Sequence, residues 1–243
     1  MNLQEWLATL RYVLLGTFPH GPLGGAALTV VLSIVSALLS ALFGLAGGIL
    51  LSLTRGAAHL ALVAVIGFFR AIPVLMLIFW TFFLMPMLLH IDVPALAAVV
   101  CALALIGGAY LSHSVDAGLA AVGAAQQQAA LSLGMTRWQA LRYVQLPQAL
   151  RIMAPSFINQ WVTLVKDTSL AYIVGVPEFT FLATQINSRL MVYPAQIFLF
   201  VALMYLVMCT ALQRCASRLL DRLHKPVKAA EPEVGAAVRQ AIS

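Results

Sequence analysis

The chain has 243 residues, 62% of them hydrophobic and only 9% charged, with a mean hydropathy of +0.97. Soluble domains carry roughly 25% charged residues, so the composition excludes an ordinary soluble protein and indicates a membrane protein. The net charge of +6 leaves no basic face once apolar spans are assigned, which argues against nucleic-acid binding.

Residues 1–23 read as an N-terminal interfacial segment. Leu3, Trp6, Leu7, Leu10 and Leu14 recur at helical spacing, with Glu5 and Arg11 off the stripe, the pattern of a short helix lying in the membrane surface. Pro19, Gly21 and Pro22 end it. The apolar run that follows comes too late and is too long for a signal peptide.

The first span covers about residues 25–53, free of charge and longer than the ~20 residues that cross a bilayer core. Ser36, Ser40, Gly44, Gly47 and Gly48 are small residues at near-helical spacing. They either let a second helix approach closely or reflect the general tolerance of membrane helices for glycine. After Thr54-Arg55-Gly56, a second span runs over 58–89 with Arg70 and Pro73 inside it. Pro73 removes a helical hydrogen bond, which predicts a kink. A turn at 90–94 precedes a third span ending near 122, with His113 and Asp116 one helical turn apart. A fourth span begins at Pro147, a good first-turn residue, and reaches Gly175, carrying Lys166 and Asp167. Residues 176–193 read as a polar turn. The fifth span, about 194–215, continues as a basic helix through Arg214, Arg218, Arg222 and Lys225. Residues 224–243 lack apolar periodicity and read as a disordered tail.

The fold class is therefore an all-α membrane bundle with five transmembrane helices. Arg55, Arg137, Arg142, Arg151, Arg214, Arg218, Arg222, Lys225 and Lys228 fall on one side, against Arg11 and Arg189 on the other. The positive-inside rule puts the C-terminus and the 123–147 loop in the cytoplasm and the N-terminus outside. In that loop, residues 126–133 favour helix and Gly134 is a natural stop. Thr136 with Gln139 has capping-box spacing, so a second short helix begins there, with Trp138, Leu141 and Val144 on one face. On residues alone, this element is either a docking surface or an amphipathic loop lying on the membrane.

The three cysteines and five histidines are scattered, so no disulfide framework, metal site or catalytic constellation is expected. A charge at a helix centre costs ~2.5–3.5 kcal/mol to insert, so such groups face a cavity or a partner. Arg70, His113, Asp116, Lys166 and Asp167, with Pro73 and Thr168, are the candidate pathway or interface residues. His113 and Asp116 could pair across i, i+3, whereas the neighbours Lys166 and Asp167 point in different directions. Thr168 is read as either a packing group or a ligand.

Several segments carry a resemblance. Gln128-Ala129-Ala130, Gly134 and Leu146-Pro147 resemble the "EAA…G…LP" loop of permease subunits in binding-protein-dependent ABC importers. Gly25-Ala26-Ala27-Leu28-Thr29, Phe69-Arg70-Ala71-Ile72-Pro73, Ala109-Tyr110-Leu111, Lys166-Asp167-Thr168-Ser169-Leu170, Gly175-Val176-Pro177-Glu178 and Gln185-Ile186-Asn187-Ser188 are similar to segments of its polar amino acid branch. The similarity covers residues 24 to about 223, in order. Three positions depart from it: Gln128 stands for a glutamate, and His113 and Asp116 for the usual Glu and Arg.

The resemblance implies a permease subunit in a bacterial inner membrane, dimeric with a second copy or a sister permease. An extracytoplasmic amino-acid-binding protein would deliver substrate near residues 86–94 and 176–193. Gln128, Ala129, Ala130, Gly134, Trp138 and Pro147 would form a coupling loop docked on a cytoplasmic ABC ATPase. ATP and Mg would sit on that partner, since this chain has no G-x-x-x-x-G-K-[ST] loop and binds no cofactor. The substrate would be a polar amino acid, with a lean toward an acidic one from residues 69–73 and Trp80. A secondary transporter is the alternative, although internal repeats and ten or so spans are lacking.

Overall fold

The computed structural model describes residues 3–190 and 194–223; the tail read at 224–243 lies outside them. Its architecture is helical throughout, with only two isolated β-bridges among the described residues. The long helices are α2 (Gly25–Leu53), α6 (Ala95–Val122), α9 (Leu146–Asp167) and α11 (Pro194–Leu223). Around them lie α1 (Leu3–Leu15), α3 (Ala57–Ala71), α4 (Val74–Phe79), α5 (Met85–Leu89), α7 (Ala124–Ser132), α8 (Arg137–Gln139) and α10 (Phe179–Leu190).

Three helices are long and apolar enough to cross a membrane: Gly25–Leu53, Ala95–Val122 and Pro194–Leu220. The pair Ala57–Ala71 and Val74–Leu89 is long and apolar enough only when taken together, as a broken span or a re-entrant loop bent by 100° at its break. The kink expected at Pro73 is thus a complete break. The residue before a proline is pushed out of the helical region, and Ile72 adopts φ −78°, ψ 133°. Pro73 then opens α4 from its N-cap. The fourth span of the sequence reading, α9, is long enough but not apolar enough to qualify; Arg151, Ser156, Asn159, Gln160, Lys166 and Asp167 dilute it.

The core sits between α2 and α6, the most extensively packed pair. Ser40 faces Gly107, Gly44 faces Leu111, and Gly48 faces Ser112 and Val115. Both sequences ascend together, so the two helices run parallel. Glycine is required here: a Cβ on Gly44 would lie 2.4 Å from that of Leu111. Close approach through small residues is how membrane helices gain contact without a hydrophobic driving force. Against α6, α9 descends, with Gly118 beside Met153 and Gly107 beside Leu164. The polar interaction of Cys209 with the Val162 carbonyl places α11 beside α9.

Two π-helical turns interrupt the bundle, at Trp80–Leu84 and Ala140–Gln145. Each ends two positions before a proline, Pro86 or Pro147. A proline offers no N–H to the fourth carbonyl back and its ring crowds that carbonyl. The ladder responds by reaching five residues back: the Met85 N–H meets the Trp80 carbonyl, and the Leu146 N–H meets that of Leu141. Consequently α8, the second π turn and α9 form one continuous helix, where two separate helices were expected.

The polar turn expected over 176–193 is also corrected, since most of it is α10. Phe179, Leu182 and Ala183 are buried on one face with Ile186 half-buried, an i, i+3, i+4, i+7 stripe. That face packs on α1, α2 and α11. The α1 helix is tied down as well: Val13 is buried and the Tyr12 hydroxyl donates to Gln185 at 2.6 Å.

Candidate functional site

The break between α3 and α4 leaves the C-terminal end of α3 beside α6, with Arg70 and Ala71 exposed. Helix ends expose unpaired carbonyls that need partners, and the Tyr110 hydroxyl donates to the Arg70 carbonyl at 3.4 Å. The Arg70 guanidinium lies 5.1 Å from the centre of the Tyr110 ring, a cation–π distance. From this point a pocket of about 400 Å³ opens along α6 and α9. Arg70, Tyr110, His113, Ser114, Ile152 and Ser156 are among its lining residues. It holds one permanent cation, one imidazole and three hydroxyls between apolar walls. Such a lining suits a small zwitterion with a polar side chain, because a carboxylate finds the guanidinium and the hydroxyls take the rest.

The sequence candidates divide around this pocket. Arg70 and His113 meet in it, and Pro73 makes the break that frees Arg70. Asp116 lies one turn further along α6, is not part of the lining, and makes no salt bridge with His113; the pairing allowed by spacing does not form. Lys166 is exposed and Asp167 partly so, both away from the pocket. Thr168 is fully buried and its hydroxyl donates to the Val165 carbonyl at 2.7 Å.

At the bundle end where α2 and α6 finish and α9 starts sits the 123–147 loop. The Gly134 N–H meets the Leu131 carbonyl and the Met135 N–H meets that of Ala130, while Gly134 takes φ +84°. This is the paired C-terminal closure that glycine favours. The capping box forms: the Gln139 N–H donates to the Thr136 hydroxyl at 3.3 Å and the Thr136 N–H to the Gln139 side chain at 2.8 Å. Gln128, Ala129, Gly134, Trp138 and Pro147 are exposed, whereas Ala130 is 4% exposed and turns inward. Ala130, expected on the docking face, is thus buried in this chain, where α7 packs beside the π turn. Of the face expected from Trp138, Leu141 and Val144, only Leu141 is buried.

Sequence reasoning missed the most buried acid among the described residues. Glu178 has no exposure and caps α10, its Oε2 accepting from the Thr180 N–H and its Oε1 from the Phe181 N–H, both at 2.8 Å. The Tyr205 hydroxyl donates to Oε2 at 3.0 Å, and the Thr29 hydroxyl lies 3.4 Å from it. Burial pushes the carboxyl up to about 7, against those backbone N–H groups, which favour its charge. The available signal was an acid immediately ahead of the Phe179 stripe, an N-cap position.

The family model described as "Binding-protein-dependent transport system inner membrane component" matches residues 41–225. The "Probable glutamine ABC transporter permease protein GlnP" of Bacillus subtilis (strain 168) is 34% identical over 197 residues, covering 80% of this chain and 90% of that one. The "Glutamine transport system permease protein GlnP" of Escherichia coli (strain K12) is 34% identical over 214 residues, covering 82% and 91%. The fold is that of a solved chain in an "amino acid ABC transporter with histidines", with a TM-score of 0.76 at 24% identity over 91% of this chain and 99% of that one. With its apolar spans and its match over most of its length, the chain belongs to the family of inner-membrane components of binding-protein-dependent transport systems, as a multi-pass permease subunit.

Proposed function

We propose that this permease carries a polar amino acid with an uncharged side chain through the pocket beside Arg70, driven by ATP hydrolysis on separate cytoplasmic subunits. The observation that carries the reading is the pocket itself, an open groove of mixed polar and apolar lining beside a broken helix, in the half of α6 and α9 nearer the 123–147 loop. Interrupted helices are where membrane transporters bind cargo, because irregular backbone is tolerated only beside a cavity. Its single permanent cation matches one carboxylate. An acidic substrate, the lean of residues 69–73, would bring a second. Glutamine in the names of both bacterial relatives supports the uncharged choice. Membership of a binding-protein-dependent family replaces the secondary-transporter alternative.

Five crossings fit the alternation of directions. α2 and α6 run one way, α9 the other, and α9 at 22 residues is about 33 Å long. Its polar residues are then satisfied inside the dimer rather than in lipid. Positive charge at the loop end puts that end in the cytoplasm and the N-terminus outside. There Gln128, Ala129, Gly134 and Trp138 dock on an ABC ATPase, which holds ATP and Mg. A substrate-binding protein meets the opposite end, and a second permease, identical or sister, completes the pathway. Residues 3–23 cover that outer end.

Uptake into proteoliposomes containing the permease, its ATPase and its binding protein tests the reading. Labelled glutamine should be accumulated in an ATP-dependent manner and excess unlabelled glutamate should compete weakly. Preferential uptake of glutamate, or uptake unaffected by Arg70→Ala, would overturn the pocket assignment.

A further inference from the structure

The Glu178 cluster is not used by the transport pathway described above. It joins three elements at the bundle end opposite the loop: Thr29 from α2, Tyr205 from α11, and the first turn of α10 with Thr180. The Gly25 N–H also meets the Pro177 carbonyl at 2.9 Å, so the same short stretch anchors the start of α2. No cation reaches the carboxylate among the described residues. Tyr205 is the titratable group facing it; α2 contributes only hydroxyl and backbone groups, and from α1 the Tyr12 hydroxyl goes to Gln185 instead.

Both hydroxyls against Glu178 have a second partner in reach. The Thr29 hydroxyl lies 3.3 Å from the Gly25 carbonyl while accepting the Phe179 N–H at 3.1 Å. The Tyr205 hydroxyl lies 3.0 Å from that of Thr180. When the carboxyl is charged, both hydroxyls can donate to it. When it carries a proton, one hydroxyl can rotate to accept that proton and donate to its alternative. The cluster accommodates either state without moving a heavy atom, provided it stays closed and dry. Should α10 separate from α11, water would reach the carboxylate and favour its charged form.

We propose that Glu178 is a proton-linked latch: closure of α10 against α2 and α11 takes up a proton, and opening releases it. Lower pH then holds this end of the bundle shut and higher pH loosens it. Because the group is an acid whose burial favours the neutral form, the linkage runs in this direction and not the reverse.

The test is hydrogen exchange of the peptide spanning residues 178–182 in the complete transporter in lipid nanodiscs, corrected for the intrinsic effect of pH. From about pH 5.5 to 8.5, protection in the natural protein should fall at least about tenfold, the change carried by one unit of linkage. Glu178→Gln should abolish the step. Should that variant not assemble, Tyr205→Phe serves: it keeps the acid but removes a donor to its charged form, and should move the midpoint upward. A flat profile in the natural protein, a step that survives Glu178→Gln, or an unmoved midpoint in Tyr205→Phe would each overturn the latch.

Discussion

Replacing Gly48 with alanine isolates what holds α2 to α6. The new Cβ would lie 2.4 Å from the Val115 Cβ and 2.6 Å from the Ser112 carbonyl oxygen. Neither neighbour is the flexible end of a side chain, so the helices must separate by about 1 Å to restore ordinary contact. A gap of that size forfeits about a quarter to a half of each ~0.1–0.2 kcal/mol atom contact. Over a few tens of contacts along the seam this amounts to about 1–3 kcal/mol, the usual cost of overpacking. Gly67→Ala is the matched control, since nothing lies within 4 Å of its added Cβ. Both changes gain the same ~0.5–1 kcal/mol of helix propensity, so their difference reports the clash alone. In thermal unfolding followed in lipid nanodiscs, Gly67→Ala should match or exceed the natural protein. Gly48→Ala should fall below Gly67→Ala by about 2–4 °C for each kcal/mol. A Gly48→Ala variant as stable as Gly67→Ala would refute the close-packed seam.

Arg70→Lys keeps the charge but loses the planar contact with Tyr110; it should retain more uptake than Arg70→Ala, read as a rise in KM in the proteoliposome assay. Glu178→Ala removes both caps of α10 and should destabilise by about 1–3 kcal/mol, measured by thermal unfolding near neutral pH. The pH dependence has a fixed sign. With the acid at about 7 in the folded chain against an ordinary 4.5, folding takes up a proton, so its contribution is greatest below 4.5 and is lost as pH rises through 7. Glu178→Gln should therefore flatten the fall in Tm between those values; an unaltered slope would count against it. Gly134→Pro should disorder the loop, because Gly134 sits at φ +84°, unreachable for proline; limited proteolysis between residues 130 and 140 would show it.

The first and third spans were legible almost to the residue, because charge-free runs bounded by turn residues have one reading in a membrane. The glycine and capping-box signals of the loop were equally direct, being local backbone requirements. Pro73 was visible as an interruption, but its 100° bend depends on where the two halves find packing. The π turns have a readable cause, Pro86 and Pro147, yet whether a ladder widens or breaks is settled by neighbours. Ala130 turns inward because α7 folds back on the π turn, a tertiary fact. The α10 helix was missed for a different reason: its polar residues masked the Phe179, Leu182, Ala183, Ile186 stripe. Glu178 went with it, since one acid in a polar stretch reads as solvated until three elements are seen to converge on it.

We propose that the permease is driven through its 123–147 loop. Ala129 is an exposed small residue on that loop, beside a buried Ala130, so Ala129→Trp enlarges the docking face while leaving the loop's own packing alone. The direct measurement is ATP hydrolysis by the reconstituted transporter with and without substrate-loaded binding protein. The natural permease should show stimulation, and Ala129→Trp should insert and assemble in the membrane yet show none. Stimulation of that variant to the natural level would contradict the coupling role of the loop.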